Sequence, residues 1–565
     1  MGSAEMDIPE TEISGQSQRP RPRSVEDDDE ESTPEIVRTM KLVGDGEDNS
    51  VKGNNNYSYS SYYNDKNDDD VLYVGNEEKP SKGEIFSWYF YGLCSYFIHT
   101  LLIPIVFPLI VSHTVPPPQH LWSPIHRDGG CSIKELQIYT TVTNRIIKIG
   151  GANFSPLDWI SFSWGIGLIL VAPLLGILSV HLDFGRNQQL VAAAATGAGA
   201  LFCLPAGFFR TRWIFPPYIA VIVAANTISN SSHARHLGLM VRGLVGNSIR
   251  QRHFPDRRSV ASWLSLHATA AGCLGAAAIS AFTYHMLRNS DGFTSLWVVS
   301  IFSGLIWVLG MAHIFGSNRP GNTPAPVDDP ARKAHMISIF KYPHAAGSLA
   351  GVFLSSFVTM CIFAGAVLYA IGDLCVEAPI LLYLWLTYFI FPIISLPLTH
   401  PIQQLMKLDA VKMQLLGFLL SVLTSGFGFY YRRAKWSSGH LLLFAAIQST
   451  GTGFLHAFGR VLLLDCAPAG KEGAFSVWFS WVRALGSCAG YALASAFPGN
   501  ISKSFGTAFC AACLGMIILI FGNISSFGGA KAAGNVREYS EKGSPVAAVV
   551  EDDNVKARAG GKTEV

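Results

Sequence analysis

Polar side chains in the middle of long apolar runs are the residues of this chain best placed to handle a solute. His99, Asn226, Ser355, Thr359, Gln448 and Thr452 stand at such positions, with Asn230 one turn beyond Asn226. Hydrocarbon penalises polar groups, so a group kept at that depth is a candidate functional residue. Amide, hydroxyl and imidazole groups together form a hydrogen-bonding set suited to holding a small polar solute. His99 is the titratable member of the set. An imidazole titrates near pH ~6.5, so binding an anionic or zwitterionic solute could recruit a proton to it. His267, His456 and Arg483 lie off-centre in their runs and read as interhelical hydrogen-bonding groups. The spacing of a nucleotide-binding loop, a zinc-ligand cluster or a nucleophile elbow is missing, so neither an ATP-driven pump nor a hydrolase is expected, and no cofactor or metal. Two other classes stay open: a membrane sensor that binds without flux, and a membrane-embedded transferase using His99 or His267 as base.

Membrane-crossing helices must carry these centres. The chain is 49% hydrophobic and 15% charged, with a mean hydropathy of +0.29. Soluble domains carry about 25% charged residues. Runs of roughly 20 apolar residues cross a bilayer as helices. They fall near 85–111, 157–180, 189–209, 213–234, 260–284, 293–315, 346–372, 379–399, 410–431, 438–463, 474–497 and 505–526. The expected fold is an all-α membrane protein whose twelve spans form two six-helix bundles, 84–315 and 344–527. Between them lies a cytoplasmic loop, 316–343, containing Pro320, Pro324, Pro326 and Pro330. Six-plus-six spans are the layout of a secondary transporter with its solute bound between the halves.

The flanks have another character. Residues 1–83 hold 20 acidic and 9 basic side chains, including the run Glu26–Glu31. Low hydrophobicity with high net charge predicts disorder there and in 528–565. The first apolar run starts too late for a signal peptide to be expected.

Charges at the ends of the spans supply candidate latches. Leu182-Asp183 followed by Arg186, and Leu408-Asp409 followed by Lys412, occur after spans 2 and 8, at equivalent places in the two halves. Arg460 and Glu472 flank the short turn 467–470 and are expected to bridge it; Glu472 would also suit a helix N-terminus. Glycine pairs Gly165/Gly167, Gly197/Gly199 and Gly272/Gly275 read as close-packing surfaces. Cys510-x-x-Cys513 lies inside the last span and reads as a pair of packing residues. Cys131 and Cys375, one per half, fall on the same non-cytoplasmic face and could join in an oxidising lumen.

Several of these stretches resemble a known family. The Gly176…Asp183-Phe184-Gly185-Arg186 loop is similar to the loop signature of the major facilitator superfamily, with a different spacing. Arg460, Pro468, Gly470, Glu472 and Phe475, with the opening Trp88-Tyr89-Phe90-Tyr91, resemble its vacuolar amino-acid effluxer branch. Near the end of span 4 the chain reads Asn226 to His233 where that branch has a Tyr-Asn-Ala run. In the superfamily, spans 1, 4, 7 and 10 line the central cavity, and the polar centres named above fall on those four. The resemblance implies alternating-access transport of a small polar solute such as an amino acid, with protons as candidate coupling ions. The expected partners are that solute and the lipid bilayer, not nucleic acid, and a monomer is expected. A vacuolar or other endomembrane location is favoured, with the plasma membrane as the alternative.

An even number of spans puts both termini on one side, and Arg242, Arg250, Arg252, Arg257 and Arg258 mark the connection after span 4 as cytoplasmic. In sealed vesicles whose outer surface is the non-cytoplasmic face, added protease should leave both tails and the 316–343 loop intact. Cleavage of the N-terminal tail in that preparation would overturn the topology.

Overall fold

The computed structural model describes residues 77–116, 133–149, 151–185, 187–205, 211–246, 248–289, 292–316, 319, 336–434 and 436–537. Long helices dominate: α1 Lys82–Thr114, α2 Pro156–Phe184, α3 Gln188–Cys203, α4 Phe215–Val245, α5 Phe254–Asn289, α6 Gly292–Leu309, α7 Pro343–Gly372, α8 Ala378–Leu405, α9 Ala410–Tyr430, α10 Ser438–Asp465, α11 Glu472–Ala496 and α12 Ile501–Phe521. Among the described residues, nine helices are long and apolar enough to cross a membrane. α3 is apolar but short, and α4 and α11 are long but fall outside these nine. Ile169, Ile177, Leu398, Ile517 and Phe521 stand exposed on α2, α8 and α12. An apolar surface of that kind is a lipid-facing one.

Helix ends follow their capping chemistry. Ser81 accepts from the Glu84 amide and starts α1, and Ser155 forms a reciprocal capping box with Asp158 at the start of α2. Within α1 the winding widens to a π-helix over Ile98–Val106, where Pro104 lacks the amide an α-helical turn would use. The wide segment begins beside His99, and such bulges are frequent at functional sites.

Helix neighbours recur with a step of six. α1 packs on α5, α2 on α4, and α3 on α4 and α6; likewise α7 packs on α11, α8 on α10, and α9 on α10 and α12. Two contacts exchange under the same step, α2 with α11 and α5 with α8.

Glycines set the closest of these approaches. A Cβ on Gly275 would strike the Leu93 carbonyl oxygen, and one on Gly272 would lie 2.9 Å from the Tyr96 ring. Gly486 and Gly490 of α11 lie equally hard against the Phe353 and Phe357 carbonyls of α7. The other two sequence pairs are half right. Gly167 presses on Ala220 of α4 and Gly199 on Trp307 of α6, but nothing stands within 4 Å of Gly165, and Gly197 is loosely packed.

The expected boundaries shift at both flanks. Glu77 forms a 3.7 Å ion pair with Arg319, so order begins before residue 84. Arg319, in the 316–343 loop, is buried, grips Glu84 through two bonds of 2.6 and 3.1 Å, and donates to the Glu78 carbonyl. Beyond residue 527 a short helix, Ser526–Ala532, leads to a strand β4, Val536–Arg537, parallel to β3, Ile249–Arg250. (β1, Ile147–Ile149, and β2, Ala152–Phe154, form a separate hairpin before α2.) Asn535 donates at 3.0 Å to both the Asp465 and Ala467 carbonyls after α10. Cys375 is disulfide-bonded, Cys131 lies outside the described residues, and the other cysteines are free.

Gly275→Leu and Gly490→Leu should each cost at least about 1–3 kcal/mol, since backbone cannot yield to the added side chain. Gly165→Leu, facing open space, should be neutral. Thermal unfolding in detergent reads all three, and a wild-type midpoint for both buried variants would refute these close approaches.

Candidate functional site

The centre of the helix assembly holds two cavities that share His99, Arg483 and Ser487. The larger, about 50 Å³, is also lined by Ser355 and Thr359 of α7, Tyr388 of α8, and Thr452 and His456 of α10. The smaller, about 20 Å³, lies toward α4 and is lined by Asn226, Thr227 and Asn230 with Ser480 of α11. Six of the seven sequence candidates, from α1, α4, α7 and α10, therefore line one or other space. Ser355 and Thr359 also bond to their own helix, to the Val352 and Ser356 carbonyls. Thr452 bonds to the Tyr388 hydroxyl at 3.1 Å. The Asn226 Oδ1 is buried with no partner.

Gln448 lines neither central cavity and meets the site only through Thr452, whose hydroxyl its Nε2 reaches at 3.4 Å. Its carboxamide otherwise turns to α9, where Oε1 accepts from Thr424 and Nε2 reaches the Ser421 hydroxyl at 3.4 Å. It borders a separate apolar cavity of about 110 Å³ between α7, α8 and α10. Its polarity is accounted for by helix packing.

Two Arg–His pairs dominate the centre. Arg483 donates to His99 Nε2, and Arg460 donates to His456 Nε2 at 3.0 Å. The Tyr96 ring lies between them, with its centroid 5.3 Å from that of His99 and 5.6 Å from that of His456. The Arg483 guanidinium stands 5.9 Å from the Tyr96 ring centroid, and that of Arg460 stands 5.7 Å from Trp88. Trp88 in turn exchanges bonds with His233 of α4: the indole donates to the His233 carbonyl and His233 Nε2 meets the Trp88 carbonyl, each at 3.0 Å.

Arg483 and His456 were read from the sequence as off-centre. Helix α11 runs Glu472–Ala496, which puts Arg483 near its midpoint, and any ionisable group inside a span is a functional candidate. Arg460 was expected at the membrane boundary, bridging to Glu472. It lies instead about 7 Å inside the end of α10, at 1.5 Å per residue, and helical side chains lean toward the N-terminus. That lean carries it inward to His456. His267 meets the Trp263 carbonyl of its own helix at 2.9 Å and lines neither central cavity.

One end of the assembly is closed by polar contacts between helices of the two halves. Glu472, at the start of α11, pairs with Arg242 of α4, both nearly inaccessible. Arg257 of α5 stands 3.6 Å from Asp465 at the end of α10. Asp183, fully buried at the end of α2, accepts from the Gly473 and Ala474 amides at 2.6 and 3.0 Å. These are the first-turn donors of α11, so the carboxylate caps a helix of the opposite half. Arg242 and Arg257 were counted from the sequence as loop charges; α4 continues to Val245 and α5 begins at Phe254, which draws both into the buried network.

Asp409 does something different. It is the N-cap of its own helix, accepting from the Lys412 amide at 2.8 Å, while the Lys412 side chain is exposed. The two Leu-Asp motifs therefore differ in register: Asp183 ends a helix and Asp409 begins one. Arg186 lies outside the described residues.

The chain matches no family model and no curated protein sequence. Among solved structures, the human organic anion transporter MFSD10 (TETRAN) aligns with a TM-score of 0.48. The alignment has 13% identity over 78% of this chain and 100% of that one.

Asp183→Ala would orphan two buried amides, at a cost of about 1–3 kcal/mol to the closed arrangement. Asp409→Ala removes an N-cap worth about 1 kcal/mol within its own half. In thermal unfolding in detergent the first should lower the midpoint by more than the second. Equal lowering by the two substitutions would contradict the different roles of the two carboxylates.

Proposed function

We propose that this chain is a twelve-span secondary transporter of the major facilitator type, made of bundles 84–315 and 344–527. It would move a small polar solute by alternating access. The observation that carries this reading is a polar centre lined from both halves and covered at one end by contacts that join the halves without covalent linkage. Rocking of the bundles breaks the Asp183, Glu472 and Asp465 contacts and opens the centre to that side. The six-step recurrence of helix neighbours supports the division into bundles, since two similar units related by pseudo-symmetry give paired contacts of this kind. The exposed apolar belt supports a multi-pass location in a membrane. Both tails and the Arg319 segment would face the cytosol.

Reconstitution into proteoliposomes with a broad panel of labelled metabolites tests the reading. Saturable uptake supports a transporter; binding without flux would make the protein a sensor, and product formation would make it a transferase.

Proton coupling would run through His99. Its Nε2 accepts from Arg483, so a second proton can enter only when Arg483 withdraws. Substrate that draws Arg483 aside would thus let His99 charge, and both would travel together. His99→Gln keeps hydrogen-bonding capacity without carrying the proton. It should abolish uphill uptake driven by a pH gradient while sparing downhill exchange. Wild-type, pH-driven accumulation by this variant would remove His99 from the coupling path.

A further inference from the structure

Cations gathered in a low-dielectric centre need compensation. Arg483 and Arg460 stand there with the imidazoles of His99 and His456, and among the described residues no carboxylate forms an ion pair with either arginine. Every ion-paired acid is elsewhere: Glu84, Glu77, Asp256, Asp465 and Glu472 are bound to other partners. The hydrogen-bond inventory leans the same way. His99 Nε2 accepts from Arg483, which leaves the ring proton on Nδ1, and that nitrogen is buried without an acceptor. The Arg460 Nε–H is likewise buried and unmatched. Around these donors the hydroxyls of Ser355 and Thr359 already donate to carbonyls of their own helix, and those of Tyr388 and Thr452 share one bond, which leaves one proton of that pair free to donate.

We infer that the central site takes a net anion, its carboxylate or phosphate-like group held by Arg483 and the Nδ1–H of His99, and that a zwitterionic amino acid is a poor fit. This rests on the transporter reading above only for the fate of the ligand, not for its charge. The Asn226 Oδ1 is a neutral acceptor, whereas an anion supplies the charged one that the described residues do not give Arg483, and the planar guanidinium fork is suited to a two-oxygen group. An amino acid would also bring an ammonium group, and among the described residues lining the two cavities no carboxylate stands to receive it. Buried charge left unpaired is heavily penalised, so the same two arginines that welcome an anion exclude a cation. Arg460 acts at one remove, as a positioning residue that fixes the His456 ring through Nε2 and adds its charge to the field.

The experiment is thermal stabilisation of the purified full-length protein in detergent at constant ionic strength. The panel comprises acetate, succinate, citrate, inorganic phosphate, sulfate and glycerol phosphate, against leucine, tyrosine, glucose and putrescine. At least one anion should raise the melting temperature in a saturable way, and the amino acids, sugar and diamine should not. Arg483→Gln should weaken that anion by at least about tenfold, and Arg483→Lys, which keeps charge and bulk but loses the fork, by a smaller factor. The lysine variant is read alone if the glutamine variant is not monodisperse. The inference is overturned if no anion stabilises the wild-type protein, if an amino acid or putrescine does so instead, or if the Arg483 variants bind the anion as well as wild type. Flux is scored separately in proteoliposomes. Anion binding without flux would sink the transporter reading and leave the anion site standing. Uptake of leucine or glucose unaffected by Arg483→Lys would do the reverse.

Discussion

A charge removed from water must find a partner or be given one, and this requirement organises the molecule from end to end. At one end three buried guanidinium groups have a carboxylate, Arg242 with Glu472, Arg257 with Asp465 and Arg319 with Glu84, while Arg235 donates to the Gln188 carboxamide. Breaking a pair of this kind by removing one member is costly, about 3–5 kcal/mol, because the remaining charge is stranded. At the centre the rule is left unfulfilled among the described residues, since Arg460, buried, and Arg483, half-buried, meet imidazoles and aromatic faces there and no carboxylate. One set of charges therefore stabilises an arrangement of helices. The other set depends on something from outside.

The two sets are mechanically linked by α10 and α11. Arg460 and Asp465 lie on one helix, a little more than one turn apart, and Glu472 and Arg483 lie on the next. Movement of α10 or α11 that adjusts the central guanidinium groups also bears on the pairs at the helix ends. Because helix packing is close, at Gly486 and Gly490 against α7 for example, such movement is transmitted as a displacement of whole helices more than as local bending.

Much of the framework was legible in the sequence because apolar run length alone sets where a helix can cross a bilayer. Each predicted run overlaps one of the helices α1–α12, nine of which are long and apolar enough to cross a membrane, and the ends move by as much as about three turns, at the end of α4. Those shifts matter. Extending α4 to Val245 turned Arg242 from a loop charge into a buried partner, and the depth of Arg460 inside α10 turned a boundary residue into a central one. Depth can be read from a sequence, but the face of a helix cannot be read without knowing its neighbours. Gln448 and Thr452 are one turn apart on α10, yet the first is taken up chiefly by α9 and the second reaches Tyr388 of α8. The short motif Leu-Asp likewise says nothing of whether a helix ends or begins there, which separates Asp183 from Asp409.

The segment after α12 carries a consequence for biosynthesis. The carbonyl of Ala467 accepts from Arg242 and from Asn535, and the amide of Ile249 donates to the Asn535 carbonyl. β3 thus waits for β4, a partner translated near the end of the described chain. All the helices can be synthesised before this face acquires its final contacts. Contacts so distant in sequence form late, after the loop-closure entropy has been met by the helices already assembled. Until then that face of the nascent protein has the Arg242, Arg257 and Asp183 contacts but not its backbone ladder. The last cross-link is added when residues 535–537 leave the ribosome, which makes this the stage at which an incomplete chain presents the Ile249 amide and the Asp465 carbonyl without Asn535 to quality control.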